Sequence, residues 1–256
     1  MTGVYIASVR GGRPSNEDKH NVVEGKRVKM YGVYDGHGGN FVSKFLSVNM
    51  PQLFTDPKIK YPLSKSYVNS VFNGVQGVLT EKYKKQTEMC GSTCLIACLC
   101  ENYLNIVNVG DSRAVMCRKG NIAHVLSLDH KPEWPNEKSR ITKMGGKIEK
   151  DGDIFRISGL SVSRAMGDLD AKPYVVHTPD LYRYKITGED KFFILGCDGL
   201  WDVVLPQDAV NFVLLHCYDG EGKRINKDTN IAKKLADYAI KMDSGDNVTI
   251  IVVFFG

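Results

Sequence analysis

Short apolar runs separated by turn residues set the first expectation. Val4–Val9, Val28–Tyr34, Thr93–Leu99, Tyr103–Val109, Ala114–Arg118, Ile122–Leu126, Lys191–Gly196 and Val248–Phe255 read as β-strands, being short and rich in β-branched and aromatic side chains. Cys100-Glu101-Asn102 and Lys119-Gly120-Asn121 sit between neighbouring runs as hairpin turns. A different period takes over in Ser64–Lys85, where Val68, Val71, Phe72, Val75, Leu79 and Tyr83 recur at spacings of three and four, the repeat of one helix face. Pro206–Cys217 and Thr229–Met242 share that repeat, with Pro206 and Thr229 as start signals. Strands in series, with helices in the long insertions between them, predict an α+β fold whose sheet-on-sheet core is covered by helices. No repeat, low-complexity tract or flexible linker divides the chain, so residues 1–256 read as one domain.

Composition narrows the class. The 256 residues are 43% apolar and 25% charged, which excludes a disordered, collagen-like or disulfide-dense miniature chain. The net charge is +5, with lysines dispersed in small groups such as Lys82, Lys84, Lys85 and Lys223, Arg224, Lys227. Dispersed charge is a solvated surface, with no nucleic-acid or membrane patch. Met1-Thr2-Gly3-Val4-Tyr5 lacks the layout of a signal peptide and the second-position glycine of a myristoylation signal. The longest apolar runs, Cys94–Cys100 and Val248–Phe255, are too short to span a bilayer. With an odd count of seven cysteines, these features predict a monomeric, reduced protein of the cytoplasm or nucleus. Cys94, Cys98 and Cys100 share parity with Ile96 and read as buried apolar residues on one strand face, since no Cys-x-x-Cys pair or nearby histidine completes a zinc tetrahedron.

The chemistry lies in where the acids fall. Asp35 ends an apolar run and opens the turn Gly36-His37-Gly38-Gly39 before a helix. Asp111 follows Val107-Asn108-Val109-Gly110, Asp198 and Asp202 follow Phe193-Ile194-Leu195-Gly196-Cys197, and Asp246 precedes the last strand. One Asp-Gly pair is what any tight turn selects, because glycine tolerates positive φ. Acids at four strand ends, joined by Glu17-Asp18, form a set that repels itself unless a cation neutralises it. Hard oxygen ligands with few histidines select magnesium or manganese over zinc or copper, and metal-assisted hydrolysis follows as a reaction class.

These residues resemble the metal-dependent serine/threonine protein phosphatases of the 2C type. The motifs are Arg13-Pro14-Ser15-Asn16-Glu17-Asp18, Asp35-Gly36-His37-Gly38-Gly39, Gly91-Ser92-Thr93 and Val109-Gly110-Asp111-Ser112-Arg113. Asp129-His130-Lys131-Pro132, Val162-Ser163-Arg164-Ala165-Met166-Gly167-Asp168, Cys197-Asp198-Gly199-Leu200-Trp201-Asp202-Val203 and Asp246-Asn247 follow in order, over essentially the whole chain. The resemblance implies a central β-sandwich of two antiparallel sheets flanked by helices on both faces, a four-layer αββα fold. A flap, approximately residues 133–168, adjoins the active site.

The resemblance also implies roles. Asp35 bridges two Mg2+ or Mn2+ ions, with Glu17 and the Gly36 carbonyl on one and Asp198 and Asp246 on the other. Asp111, Asp198 and Asp202 hold a third, weaker ion, and Asp18 holds metal-bound water. Arg13 grips the substrate phosphate, and His37 is the general acid or a residue that positions water. Two divalent ions lower the pKa of a shared water from about 15.7 towards neutrality, so the water attacks phosphorus and no phosphoenzyme is needed. Arg13 offers paired donors to phosphate oxygens, and an imidazole supplies the proton that a leaving alkoxide needs. The implied substrates are phosphoserine and phosphothreonine proteins. A silent phosphatase-fold scaffold would have lost ligands that are all present here, whereas a hydrolase of small phosphate esters has the same site chemistry.

Two other patterns are decoys. His216-Cys217 with Lys223-Arg224 approximates a cysteine-phosphatase loop, but lysine stands where that loop needs arginine, and the cysteine ends a helical run. Asp151-Gly152-Asp153 follows the charged segment Lys147 to Lys150 instead of an apolar strand, and reads as a loop. In the flap, Trp134, Lys138, Arg140 and Lys143 read as either substrate contacts or scaffold. Setting aside the seven acids assigned to the site leaves 22 acidic against 34 basic residues, a basic surround that favours anionic phosphoproteins.

Overall fold

The computed structural model describes residues 3–225 and 229–255; Met1, Thr2 and Lys227, named above, lie outside them. The chain begins with β1 (Val4–Val9), β2 (Lys19–Glu24), β3 (Val28–Tyr34), β4 (Gly36–His37), α1 (Phe41–Thr55), α2 (Lys65–Lys82) and α3 (Lys84–Thr87). It continues through β5 (Gly91–Ser92), β6 (Cys94–Cys100), β7 (Tyr103–Val109), β8 (Arg113–Arg118), β9 (Ile122–Val125), α4 (Pro135–Lys143), β10 (Glu149–Asp151) and β11 (Ile154–Arg156). It ends with β12 (Met166–Gly167), β13 (Asp180–Lys185), β14 (Phe192–Gly196), α5 (Asp198–Trp201), α6 (Pro206–Cys217), α7 (Ile231–Lys241) and β15 (Val248–Phe254).

Two five-stranded antiparallel sheets, ordered β1-β15-β14-β8-β9 and β13-β7-β6-β3-β2, pack face to face. Their shared core holds Tyr31, Leu95, Ala97, Ile106, Met116, Phe193, Leu195 and Ile251. The other face of the second sheet, with Met30, Cys94, Ile96, Cys98 and Val107, packs on α1 and α2. The outer face of the first, with Val115, Phe192, Ile194, Ile250 and Val252, packs on α6 and α7. The architecture is the four-layer αββα sandwich. Because both faces of a central strand meet apolar layers, these strands lack the polar alternation of a half-exposed sheet. Cys94, Cys98 and Cys100 sit beside Ile96 in the helix-facing layer, with burial raising each thiol.

The eight expected strands form, to within one residue at either end. Ser64 caps α2 by accepting the Tyr67 N–H at 3.1 Å, and the expected single helix breaks at Tyr83. Asn230 rather than Thr229 caps α7, accepting from Lys233 N at 3.1 Å. Asp151-Gly152-Asp153 is not a plain loop: β10 and β11 pair around it as a short exposed hairpin. Helix α1 runs through Pro51. The proline has no N–H for the Ser47 carbonyl four residues back, and Asn21 Nδ2 donates to that carbonyl at 2.8 Å instead. No helix among the described residues is long and apolar enough to cross a membrane.

Between β9 and β13 the chain builds a satellite core of Ile141, Ile157, Val162, Ala165, Ala171 and Val175. Glu137, 4% exposed, fastens it. Its carboxylate accepts from Arg164 at 2.6 Å, Arg140 at 2.9 Å and Ser163 Oγ at 2.7 Å, and Arg164 reaches on to Asp180 at 3.2 Å. Arg140 is therefore scaffold. Burial pushes the Glu137 carboxyl up, but Arg164, Ser163 and Arg140 outweigh it and bring it down to about 2. A depressed acid contributes stability that is present above its ordinary pKa, 4.5, and lost as pH falls through the folded value. In a Trp201→Phe background, Trp134 fluorescence should report loosening of this segment as pH drops from about 4.5 towards 2. Glu137→Gln should loosen it already at neutral pH, and an unchanged acid profile in that variant would remove Glu137 as the fastener.

Candidate active site

Antiparallel register brings one end of every long strand to the same edge of the sandwich. Lys19 pairs with Tyr34, Cys94 with Val109, Gly196 with both Arg113 and Ile250, and Val9 with Val248. The segments leaving these positions carry Arg13, Glu17 and Asp18, Asp35 to His37, Asp111, Asp198 to Asp202, and Asp246. The other edge is closed by turns such as Glu101-Asn102 and Lys119–Asn121.

A cavity of about 450 Å³ opens at the loop-bearing edge, and Arg13, Glu17, Asp35, Gly36, His37, Asp111, Asp198, Asp202 and Asp246 all line it. Asp18, 3% exposed, lies behind the wall. Carboxylate oxygens of Asp35, Asp111 and Asp198 lie within 4.8 Å of one another. Burial, then the neighbouring carboxylates, holds Asp35 and Asp198 well above the ordinary range. Burial also raises Asp18, offset in part by the nearby Thr249 hydroxyl and Cys197 thiol. Neither Asp18 oxygen is hydrogen-bonded.

Acids crowded together, with Lys131 as a donor to Asp111 and none to Asp18, fit a hard divalent cation as the partner that neutralises them. Cys197 Sγ lies within the same distance of Asp18 and Asp35, yet it does not belong to the ligand set. Burial and the surrounding carboxylates push its thiol well up, and it is committed to Asn247 O at 3.3 Å and Thr249 N at 3.1 Å.

The backbone holds the acids in place. Thr93 grips Asp35 from both sides, its N–H donating to Asp35 O at 2.8 Å and its Oγ1 accepting from Asp35 N at 3.0 Å. A Cβ on Gly36 would come within 2.5 Å of Glu17 O and 2.8 Å of Ser43 Oγ, so this strand can pass only as glycine. Asn247 pins the loop that carries Arg13 and Glu17, accepting from Glu17 N at 2.8 Å and donating to Arg10 O at 2.7 Å and Ser15 O at 2.9 Å. His130 Nδ1 accepts the Gly110 N–H at 3.0 Å, and its Nε2 lies 3.1 Å from Asp180, bracing the turn before Asp111.

Of the expected ligands, Asp35, Asp111 and Asp198 form one oxygen cluster. The others reach the same cavity with different partners. Glu17 accepts the Gly39 N–H at 3.0 Å, Asp246 pairs with Arg13 at 2.6 Å, and exposed Asp202 lies near Lys131 and Arg113. Two participants carried no role in the sequence reading. Lys131 forms an ion pair with Asp111; burial lowers its ammonium pKa, but Asp111 outweighs burial and the net shift is upward. Asp168 Oδ2 lies 2.8 Å from His37 Nε2. Burial lowers the His37 imidazole, while Asp168, Asp111 and Glu17 raise it further, for a net upward shift. Both residues stood inside quoted motifs, but nothing in their spacing revealed a partner.

A family model described as Protein phosphatase 2C matches residues 3–248. A PP2C-like domain-containing protein of Acanthamoeba polyphaga mimivirus is 44% identical over 169 residues, covering 59% of this chain and 94% of that protein. Probable protein phosphatase 2C 71 of Arabidopsis thaliana is 38% identical over 255 residues, covering 97% of this chain and 54% of its own length. The chain thus spans about half of that plant relative. A crystal structure of serine-threonine phosphatase 2C from Toxoplasma gondii superposes with a TM-score of 0.81 at 25% identity, covering 99% of this chain and 94% of that one.

Proposed function

The chain belongs to the protein phosphatase 2C family, and from that premise we propose that it hydrolyses phosphoserine and phosphothreonine in proteins by attack of water on phosphorus, with no phosphoenzyme intermediate. The observation that carries this reading is the convergence of Asp35, Asp111 and Asp198 within 4.8 Å in a cavity also lined by Arg13 and His37. Asp35, Glu17, the Gly36 carbonyl, Asp198 and Asp246 would hold two Mg2+ or Mn2+ ions, and Asp111, Asp198 and Asp202 a third. When bound, such ions lower the pKa of water towards neutrality and offset phosphate charge.

The chain's own groups do the rest. Arg13, with its side chain 58% exposed, presents a planar fork to two phosphate oxygens. His37, kept proton-rich by Asp168, holds the proton for the departing serine or threonine oxygen. Asp18, behind Asp35, has free carboxylate oxygens that accept hydrogen bonds from water. Cys217 takes no part: it ends α6, 2% exposed, with burial raising its thiol.

The test is phosphate release from a phosphothreonine peptide. Turnover should require added Mg2+ or Mn2+ and stop with chelator, and Cys217→Ser should retain it to within about twofold. Absence of metal-dependent turnover would leave the scaffold reading. Turnover of small esters but not of phosphopeptide would favour the small-ester hydrolase.

A further inference from the structure

The smallest sheet of the molecule, ordered β12-β5-β4, bears on His37. Its strands are two residues long, and Gly91 in β5 is paired with His37 on one side and Gly167 on the other. Asp168 follows immediately, in left-handed backbone at φ 47°, after Gly167 at φ 81°. Left-handed conformation at a non-glycine residue needs support from its surroundings. The support comes from α2. Gln76, 5% exposed, accepts the Gly167 N–H at 3.0 Å through Oε1 and donates to Gly167 O at 3.3 Å through Nε2. The Asp168 N–H donates to Cys90 O at 3.2 Å. So held, the Asp168 carboxylate, 2% exposed, meets His37 Nε2 at 2.8 Å. The space is reserved for it, since a Cβ on Gly91 would fall 2.0 Å from Asp168 Oδ2.

We propose that Asp168 and Gln76 are positioning residues for proton transfer, Gln76 fixing the Gly167–Asp168 backbone and Asp168 fixing the His37 ring. With Nε2–H committed to Asp168, Nδ1 is the nitrogen that hands over a proton. As the P–O bond breaks, its electron pair stays on the serine or threonine oxygen, which takes the Nδ1 proton and leaves a neutral imidazole still donating to Asp168. A glutamine 91 positions before Gly167 thereby acts on the chemistry without touching substrate. The inference rests on the proton-donor reading of His37 given above.

A leaving alkoxide needs that proton, whereas 4-nitrophenolate departs without it. The test is therefore the ratio of phosphothreonine-peptide turnover to 4-nitrophenyl phosphate turnover, measured on the purified chain with Mn2+. His37→Gln, Asp168→Asn and Gln76→Met should each lower the ratio about tenfold or more. The His37→Gln/Asp168→Asn double variant should be no lower than His37→Gln alone, because both act on one proton. Calorimetric Mn2+ titration checks that each variant keeps its metal sites. Gln76→Glu, which retains the acceptor for Gly167 N–H, is the milder variant if Gln76→Met does not fold.

An unchanged ratio in His37→Gln would overturn the proton-donor reading and this inference with it. A lowered ratio in His37→Gln but not in Asp168→Asn, Gln76→Met or Gln76→Glu would overturn the positioning roles alone. Fully additive losses in the double variant would assign Asp168 a structural effect independent of His37.

Discussion

Asp35→Asn should abolish metal-dependent phosphate release, a loss of at least about a thousandfold, while making the metal-free protein more stable rather than less. Asp35 is the acid common to both oxygen groups, one with Asp111 and Asp198 and the other with Asp18. Two unit charges about 5 Å apart at an effective dielectric near 20 repel by roughly 3 kcal/mol. This is an upper limit, since burial and repulsion raise Asp35 and Asp198 and so favour their uncharged forms. Asparagine keeps the volume and the Thr93 backbone bonds, removes the charge, and deletes the ligand expected to serve two ions. Thermal melts in chelator should rise by a few degrees as turnover of the phosphothreonine peptide vanishes. Wild-type turnover in this variant would remove Asp35 from its bridging role. A lowered metal-free melting temperature would show that the substitution damages the fold instead.

Removing metal should cost more stability at pH 8 than at pH 5. Burial and neighbouring carboxylates raise the folded pKa values of Asp35, Asp198 and Asp18. A raised acid contributes stability that is fully present below its ordinary pKa, about 3.9, and is lost as pH rises through the folded value. The chelated protein should therefore melt at progressively lower temperature from pH 5 to pH 8, a window that lies above the range where Glu137 titrates. Divalent cations favour the ionised acids, so the loaded protein should be nearly flat over the same window. Saturation a hundredfold above Kd stabilises by about 2.7 kcal/mol, or roughly 5–10 °C for a chain of this size. Differential scanning fluorimetry at pH 5 and pH 8, with Mg2+ or with chelator, reads the difference directly. An equal metal-dependent shift at both pH values would contradict the crowding of these acids.

Legibility followed burial. The central strands could be read from their apolar runs because each is packed on two faces, as Cys94–Cys100 is between α1 and the partner sheet. Among the longer strands, those that escaped are the two edges of that sheet, β2 and β13, whose Lys-His-Asn-Val-Val-Glu and Asp-Leu-Tyr-Arg-Tyr-Lys carry polar side chains to solvent. Helix α4 escaped for the same reason, with Glu137 and Ile141 its only buried residues. The bounds of α1 were hidden by Pro51, whose orphaned carbonyl partner is satisfied from a distant strand. In the site, acids at strand ends beside glycine were visible one by one. Asp168 was not, because its contact with His37 passes through three two-residue strands too short to show any period.

The division of the sandwich into two edges has a consequence for how the chain can be altered. Every acid of the cavity is set by strand register at one edge, and inserting a single residue into β3, β7 or β14 would turn the following side chains to the opposite face. The turns at the far edge, Glu101-Asn102 and Lys119–Asn121, are under no such constraint. Each doubling of a flexible loop costs only about 0.6 kcal/mol. A reporter peptide or a second domain spliced there would lengthen a turn while leaving the register of every strand that leads to a cavity acid intact, so the protein carries its own site for grafting, a full strand length away from the acid-lined cavity.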